Sequence, residues 1–182
     1  MFEYNKEIIL RILKLEEFEL DNLNPNEIQH VPMHQYRVSK KNSPYLLVEN
    51  LQVCIGLYAY TNNFGFAAHL NPVVMRGNEF ECDKNKNIIY CRRIDDLFNA
   101  ITNIKPEGNI HIGIALGLAP VRETYQQAEM LDKSIDELIF KLNTMGIDAT
   151  KLNIQHNHIF ILDSTNGSII TPTNTKKFTR RK

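Results

Sequence analysis

Leu51-Gln-Val-Cys-Ile-Gly-Leu-Tyr-Ala-Tyr60 is followed by Thr61-Asn-Asn63 and then by Phe64-Gly-Phe-Ala-Ala-His-Leu70. The first run is almost wholly apolar, the mark of a strand covered on both faces. Thr61-Asn-Asn63 carries turn chemistry and the next run is strand-like again, so the stretch predicts a β-hairpin. A turn centred on Asn62-Asn63 pairs residues whose numbers sum to 125. His69 then faces Gly56, and Cys54 faces Asn71. Cys54 and His69 fall on one face as diagonal neighbours, roughly 7–8 Å apart at the backbone. Gly56 is expected to leave open space beside the imidazole. A thiol beside an imidazole is the minimal nucleophile–base unit, because the imidazole stabilises the attacking thiolate. The plainer explanation is a buried core cysteine and a structural histidine. A one-residue slip of the register would put the two side chains on opposite faces.

Outward from the hairpin, helices and strands alternate. Ile8, Ile9, Ile12, Leu13, Leu15 and Phe18 form one helical stripe, ended by the Asp21–Pro25 segment. Residues 26–45 look irregular or partly extended, with Pro32 and Pro44 as breakers. Asn87–Cys91 reads as a short strand, Arg93–Ile104 as a helix and Ile110–Leu118 as a Gly-interrupted strand. Glu123–Met145 reads as a longer helix stopped by Gly146. Ile159–Leu162 and Ser168–Thr171 flank an Asn-Gly turn and predict a second hairpin. Hairpins bracket the helices, which argues for an α+β fold and against a doubly wound parallel sheet. The expected architecture is a sandwich of mixed, mostly antiparallel β-sheets with helices on the outside.

The chain has 182 residues, 43% hydrophobic and 23% charged, a length and composition suited to one soluble globular domain. Lys+Arg and Asp+Glu both count 21, so the net charge is zero, unlike the basic excess of a general nucleic-acid binder. No apolar run approaches a membrane span, and residues 1–20 lack the zones of a signal peptide. Three cysteines cannot all pair within the chain, which makes a reducing cytoplasm the simplest location. The basic stretch with Lys176, Lys177, Arg180, Arg181 and Lys182 reads as a solvated tail over 173–182. One domain is expected over 1–172, with a helical extension at 1–44.

The block Leu51–Tyr60 followed by Phe64-Gly-Phe-Ala-Ala-His-Leu-Asn-Pro72 resembles the chemoreceptor glutamine deamidases, the CheD family. It is also similar to the catalytic domains of cytotoxic necrotizing factor-type toxins, which share that fold and a Cys–His dyad. The order of later elements fits as well: a helix, the strand Ile114-Ala-Leu-Gly-Leu-Ala119, a long helix, Gly146-Ile147 and a final hairpin up to Pro172. The resemblance covers about residues 45–172 and is most specific at Cys54 and His69. It departs at Gln52-Val53, where the family has Gly-Ser, and at Gln155-His-Asn-His158, where the family is Gly-rich. Six residues before the Cys the CheD proteins carry Thr, and this chain has Val48. In the toxins a backbone carbonyl orients the His, and the resemblance implies that role for Val48.

The resemblance thus implies a protein glutamine deamidase with Cys54 as nucleophile, His69 as base and Val48 as the orienting third member. Such an enzyme needs no cofactor and no metal. Its substrate is a protein with a reactive glutamine, in the cytoplasm of the producing cell or of a target cell, as in chemotaxis or as an effector toxin. The alternative is a non-catalytic binding or regulatory module on the same fold, since CheD proteins also bind a regulatory protein partner. Gln52, Val53 and Val48 favour that alternative. Other constellations carry less. His156 and His158 share a strand face, but Cys82 and Cys91 are spaced unlike the tight pairs of zinc sites. His30 and His34 are expected to be solvated in a polar loop.

Overall fold

The computed structural model describes residues 4–19, 23–72, 74–76, 79–81 and 86–172, with side chains described outside 74–91. The expected tail and the side chains of Cys82 and Cys91 lie outside the described residues. Helix α1 spans Lys6–Leu15, and strands β1 (Ile28–His30), β2 (Tyr36–Val38) and β3 (Tyr45–Val48) follow. Next come β4 (Ile55–Thr61), β5 (Phe64–Leu70), β6 (Val74–Arg76) and β7 (Glu79–Glu81). Then α2 (Lys86–Ile104), β8 (Ile110–Leu116) and α3 (Arg122–Thr144) lead to β9 (Ala149–Lys151) and β10 (Gln155–His156). The final hairpin is β11 (Phe160–Asp163) and β12 (Ser168–Ile170).

A six-stranded sheet has the order β10-β8-β4-β5-β2, with β9 also paired to β8. A four-stranded sheet has the order β1-β3-β11-β12, and β6 pairs with β7. Most pairings are antiparallel; β1–β3, β8–β9 and β8–β10 are parallel. The period-2 alternation of the strands sorts their side chains into separate cores. Ile55, Leu57 and Ala59 of β4, with Phe66, Ala68 and Leu70 of β5, pack with Leu97 and Ile101 of α2 and Leu131 and Ile135 of α3. The opposite face of that sheet gives Tyr58, Ala67 and Ala115, which pack with Leu46, Val48, Phe160 and Leu162 of the other sheet. The outer face of the four-stranded sheet is covered by Ile9 and Leu13 of α1. The layers run α1, sheet, sheet, α2 with α3: an α+β sandwich with helices outside, as expected.

Within the six-stranded sheet Gly113 pairs with Tyr58, and a Cβ on Gly113 would lie 2.5 Å from the Tyr58 ring, which occupies the place of the missing side chain. One expectation at element level does not hold. Asn87–Cys91 is part of α2 and not a strand. A run that short cannot be assigned by pattern, and the helix it extends is set by the amphipathic face that follows. The 26–45 segment is partly extended, as expected: β1 joins one sheet and β2 the other, with irregular stretches between them.

Candidate functional site

The hairpin register is the one the turn predicts: Gly56 pairs with His69, Tyr58 with Ala67 and Thr61 with Phe64. Cys54 immediately precedes β4, and His69 is the penultimate residue of β5. Both are 3% exposed. Cys54 belongs to the core between the two sheets.

Cys54 is not within the strand, as the apolar run suggested, but closes a turn over 51–54 that is fixed from outside. Leu118 N–H donates to the Leu51 carbonyl, Ala119 N–H to Gln52 and Gly117 N–H to Cys54. The Thr124 hydroxyl in the first turn of α3 donates to the Val53 carbonyl at 2.7 Å. A Cβ on Gly117 would sit 1.9 Å from the Leu51 oxygen, so only glycine lets the two backbones meet here. Among the described residues, neither the Val53 nor the Cys54 N–H donates to a hydrogen-bond acceptor.

His69 is gripped by the segment between β1 and β2. Its N–H donates to the Gln35 carbonyl at 3.0 Å, and its carbonyl accepts from His34 N–H at 2.7 Å. His34 holds a left-handed backbone, φ 66°. Both ring nitrogens of His69 are buried without a hydrogen-bond partner among the described residues. Burial, then the nearby His30 and His34, push the imidazole down to about 4. The Val31 backbone opposes this shift without closing to hydrogen-bond geometry. Burial pushes the Cys54 thiol up to about 11. In this buried environment the proton stays on sulfur, the imidazole is neutral and no hydrogen bond joins the pair.

The space expected beside Gly56 is filled. The Phe160 ring and the Leu51 side chain stand 3.0 and 3.3 Å from where its Cβ would be. Val48 lies at the end of β3, fully buried and paired with Phe160. Among the described residues the Val31 backbone is close enough to the His69 ring to oppose its downward shift. Val31 was missed because its approach to His69 depends on β1 and β2 joining different sheets, which no local pattern encodes. Thr124 and Gln127 were missed too. Both are buried polar residues one turn apart on α3, and the Gln127 carbonyl oxygen has no partner among the described residues. A Thr and a Gln on the apolar stripe Leu131–Ile135–Leu138 were the available signal.

The other histidines separate. His30 is not solvated: it lies in β1, stacked on Tyr4 at 3.9 Å between ring centroids. His34 is exposed, as expected. His158 meets the Glu16 carboxylate at 2.8 Å, tying β11's approach to the end of α1. Among the described residues no three His, Cys, Asp or Glu side chains converge as metal ligands would. Among the same residues no helix is long and apolar enough to cross a membrane. No family model matches the chain, and no curated protein is similar to it.

Proposed function

We propose that the chain is a cysteine-dependent protein glutamine deamidase of the CheD-like kind, seen with its site closed. The observation that carries this reading is the register that sets His69 opposite Gly56, two residues from Cys54, at the anchored mouth of the hairpin. On opening, His69 takes the Cys54 proton and the thiolate attacks the carboxamide carbon of a glutamine side chain. In this reading the N–H groups of Val53 and Cys54 serve the oxyanion; it is supported by the carbonyls of 51–54, which are all turned into 117–124. The imidazolium returns its proton to the departing nitrogen, ammonia leaves and a thioester remains. Water, losing a proton to His69, cleaves the thioester to glutamate and free thiol. The third member of the site, orienting the imidazole on opening, is Val48 through its carbonyl.

A second reading is favoured by the burial itself. A thiol pushed up to about 11 beside an imidazole pushed down to about 4 suits a binding or regulatory module that has kept the fold and not the reaction. One experiment separates the two. Total cell protein is incubated with wild type, Cys54→Ser and His69→Ala, and glutamine-to-glutamate conversion is read by mass spectrometry. Conversion that needs both residues supports the deamidase. No conversion, with Cys54 alkylation equally slow in wild type and His69→Ala, leaves the binding module.

A further inference from the structure

Asparagine occurs 20 times in the sequence, but only Asn166 is followed by glycine. The pair lies in the turn over 164–167 that joins β11 to β12. Asn166 is exposed. Gly167 holds the left-handed backbone, φ 66°, that glycine adopts in turns without steric cost.

Three features of this turn bear on the Asn166 carboxamide. The Ser168 hydroxyl donates to Asn166 Oδ1 at 2.5 Å. That bond draws electron density from the carboxamide carbon and stabilises negative charge that develops on the oxygen. The Gly167 N–H makes no hydrogen bond among the described residues, so its proton is not tied up. The nearby Asp163 Oδ1 accepts instead from the N–H and the hydroxyl of Thr165, at 2.8 and 2.6 Å. Glycine also has no side chain to obstruct its own nitrogen. Asn42-Ser43 is the contrast. Asn42 is exposed too, but the Ser43 N–H donates to the Lys40 carbonyl at 2.9 Å.

We infer that Asn166 is a self-modifying site, which converts without an enzyme to aspartate and isoaspartate through a cyclic imide with Gly167. Hydroxide removes the Gly167 amide proton, and the nitrogen attacks the Asn166 side-chain carbonyl carbon. A carbon–nitrogen bond forms, and Oδ1 takes the electron pair under the Ser168 hydroxyl. The carbonyl re-forms, the bond to Nδ2 breaks, and that nitrogen takes a proton from water and leaves as ammonia. Water then opens the imide. Opening at the side-chain carbonyl gives aspartate, and opening at the main-chain carbonyl gives isoaspartate. The net change consumes one water and releases one ammonia. Isoaspartate carries the main chain through its β-carbon, which adds an atom and a negative charge to a turn packed on its neighbour. A Cβ on Gly167 would stand 3.2 Å from Asn62 Oδ1 and 3.4 Å from the Thr61 carbonyl of the β4–β5 hairpin.

The test incubates the full chain at 37 °C and reads every asparagine by peptide mapping, with isoaspartate told from aspartate by electron-transfer fragmentation. Asn166 converts first, Asn42 stays intact over the same period, and the rate at 166 rises from pH 7 to pH 9. Ser168→Ala slows conversion roughly two- to tenfold, the worth of one hydrogen bond. Ser168→Thr, which keeps the hydroxyl, restores the rate. In denaturing urea wild type and Ser168→Ala convert alike, which separates the folded turn's effect from that of the dipeptide. Other asparagines converting ahead of Asn166 overturns the inference, as do equal rates for folded wild type and Ser168→Ala. Cys54→Ser converts at the wild-type rate, so the result stands apart from the deamidase reading; loss of conversion in that variant would also overturn the inference, by making the change the work of Cys54.

Discussion

Thr124 makes one hydrogen bond on which the position of Cys54 depends. Its hydroxyl is fully buried and donates to the Val53 carbonyl. Thr124→Val keeps the shape and leaves that carbonyl unpaired. The expected loss of stability is about 1–2 kcal/mol, read as a lower urea midpoint. Cys54 alkylation should quicken in the same variant, because the residue after a loosened carbonyl gains freedom. An unchanged midpoint would show that the bond is replaced or without net worth. At this scale the placement of His69 opposite Gly56 was legible in the sequence. The nearness of Val31 to His69 was not, because it depends on the tertiary fold.

At the scale of elements, the hairpin was legible because a two-residue turn fixes its register and the period of two fixes its faces. The helices were legible from their apolar stripes. What was not legible is the turn over 51–54. Its residues are apolar enough to continue a strand, and only the distant 117–124 segment bends them away. Gly117 is where this dependence is sharpest. Gly117→Ala sets a Cβ against backbone that cannot rotate aside, since the facing carbonyls are themselves bonded. The expected cost is about 3 kcal/mol or more, seen as a large drop in thermal midpoint. Gly108→Ala serves as the contrast. It meets nothing within 4 Å and carries only the strain of φ 80°, so its cost should be smaller. Equal midpoints for the two variants would refute the close approach at 117.

For the whole molecule, two histidines shape the response to acid. His69 and His30 are both held near 4, mainly by burial, with Arg37 also acting on His30. An unfolded histidine titrates near about 6.5. Between those values the unfolded chain binds protons that the folded chain refuses. Stability is therefore full above about pH 6.5 and falls as pH drops toward 4, by a loss on the order of 3 kcal/mol from His69 alone. Urea midpoints at pH 7.5 and 5 measure this, and His69→Asn should flatten the slope. A midpoint that holds steady between those pH values in wild type would mean that the two imidazoles are not sequestered.

The strand pairing carries a consequence for how the protein is made. Tyr45 pairs with Asp163 and Val48 with Phe160, more than a hundred residues further along the chain. Such distant partners meet late, because the intervening loop must close first. Synthesis proceeds from the N-terminus, so the β4–β5 hairpin emerges and can collapse well before β11 exists. Until Phe160 arrives, the hollow beside Gly56 has no lid and the Cys54 thiol stands open to oxidants and to other thiols. The nascent chain is chemically more vulnerable than the folded one, and the β11–β12 hairpin, made long after β4–β5, is the one that ends that exposure.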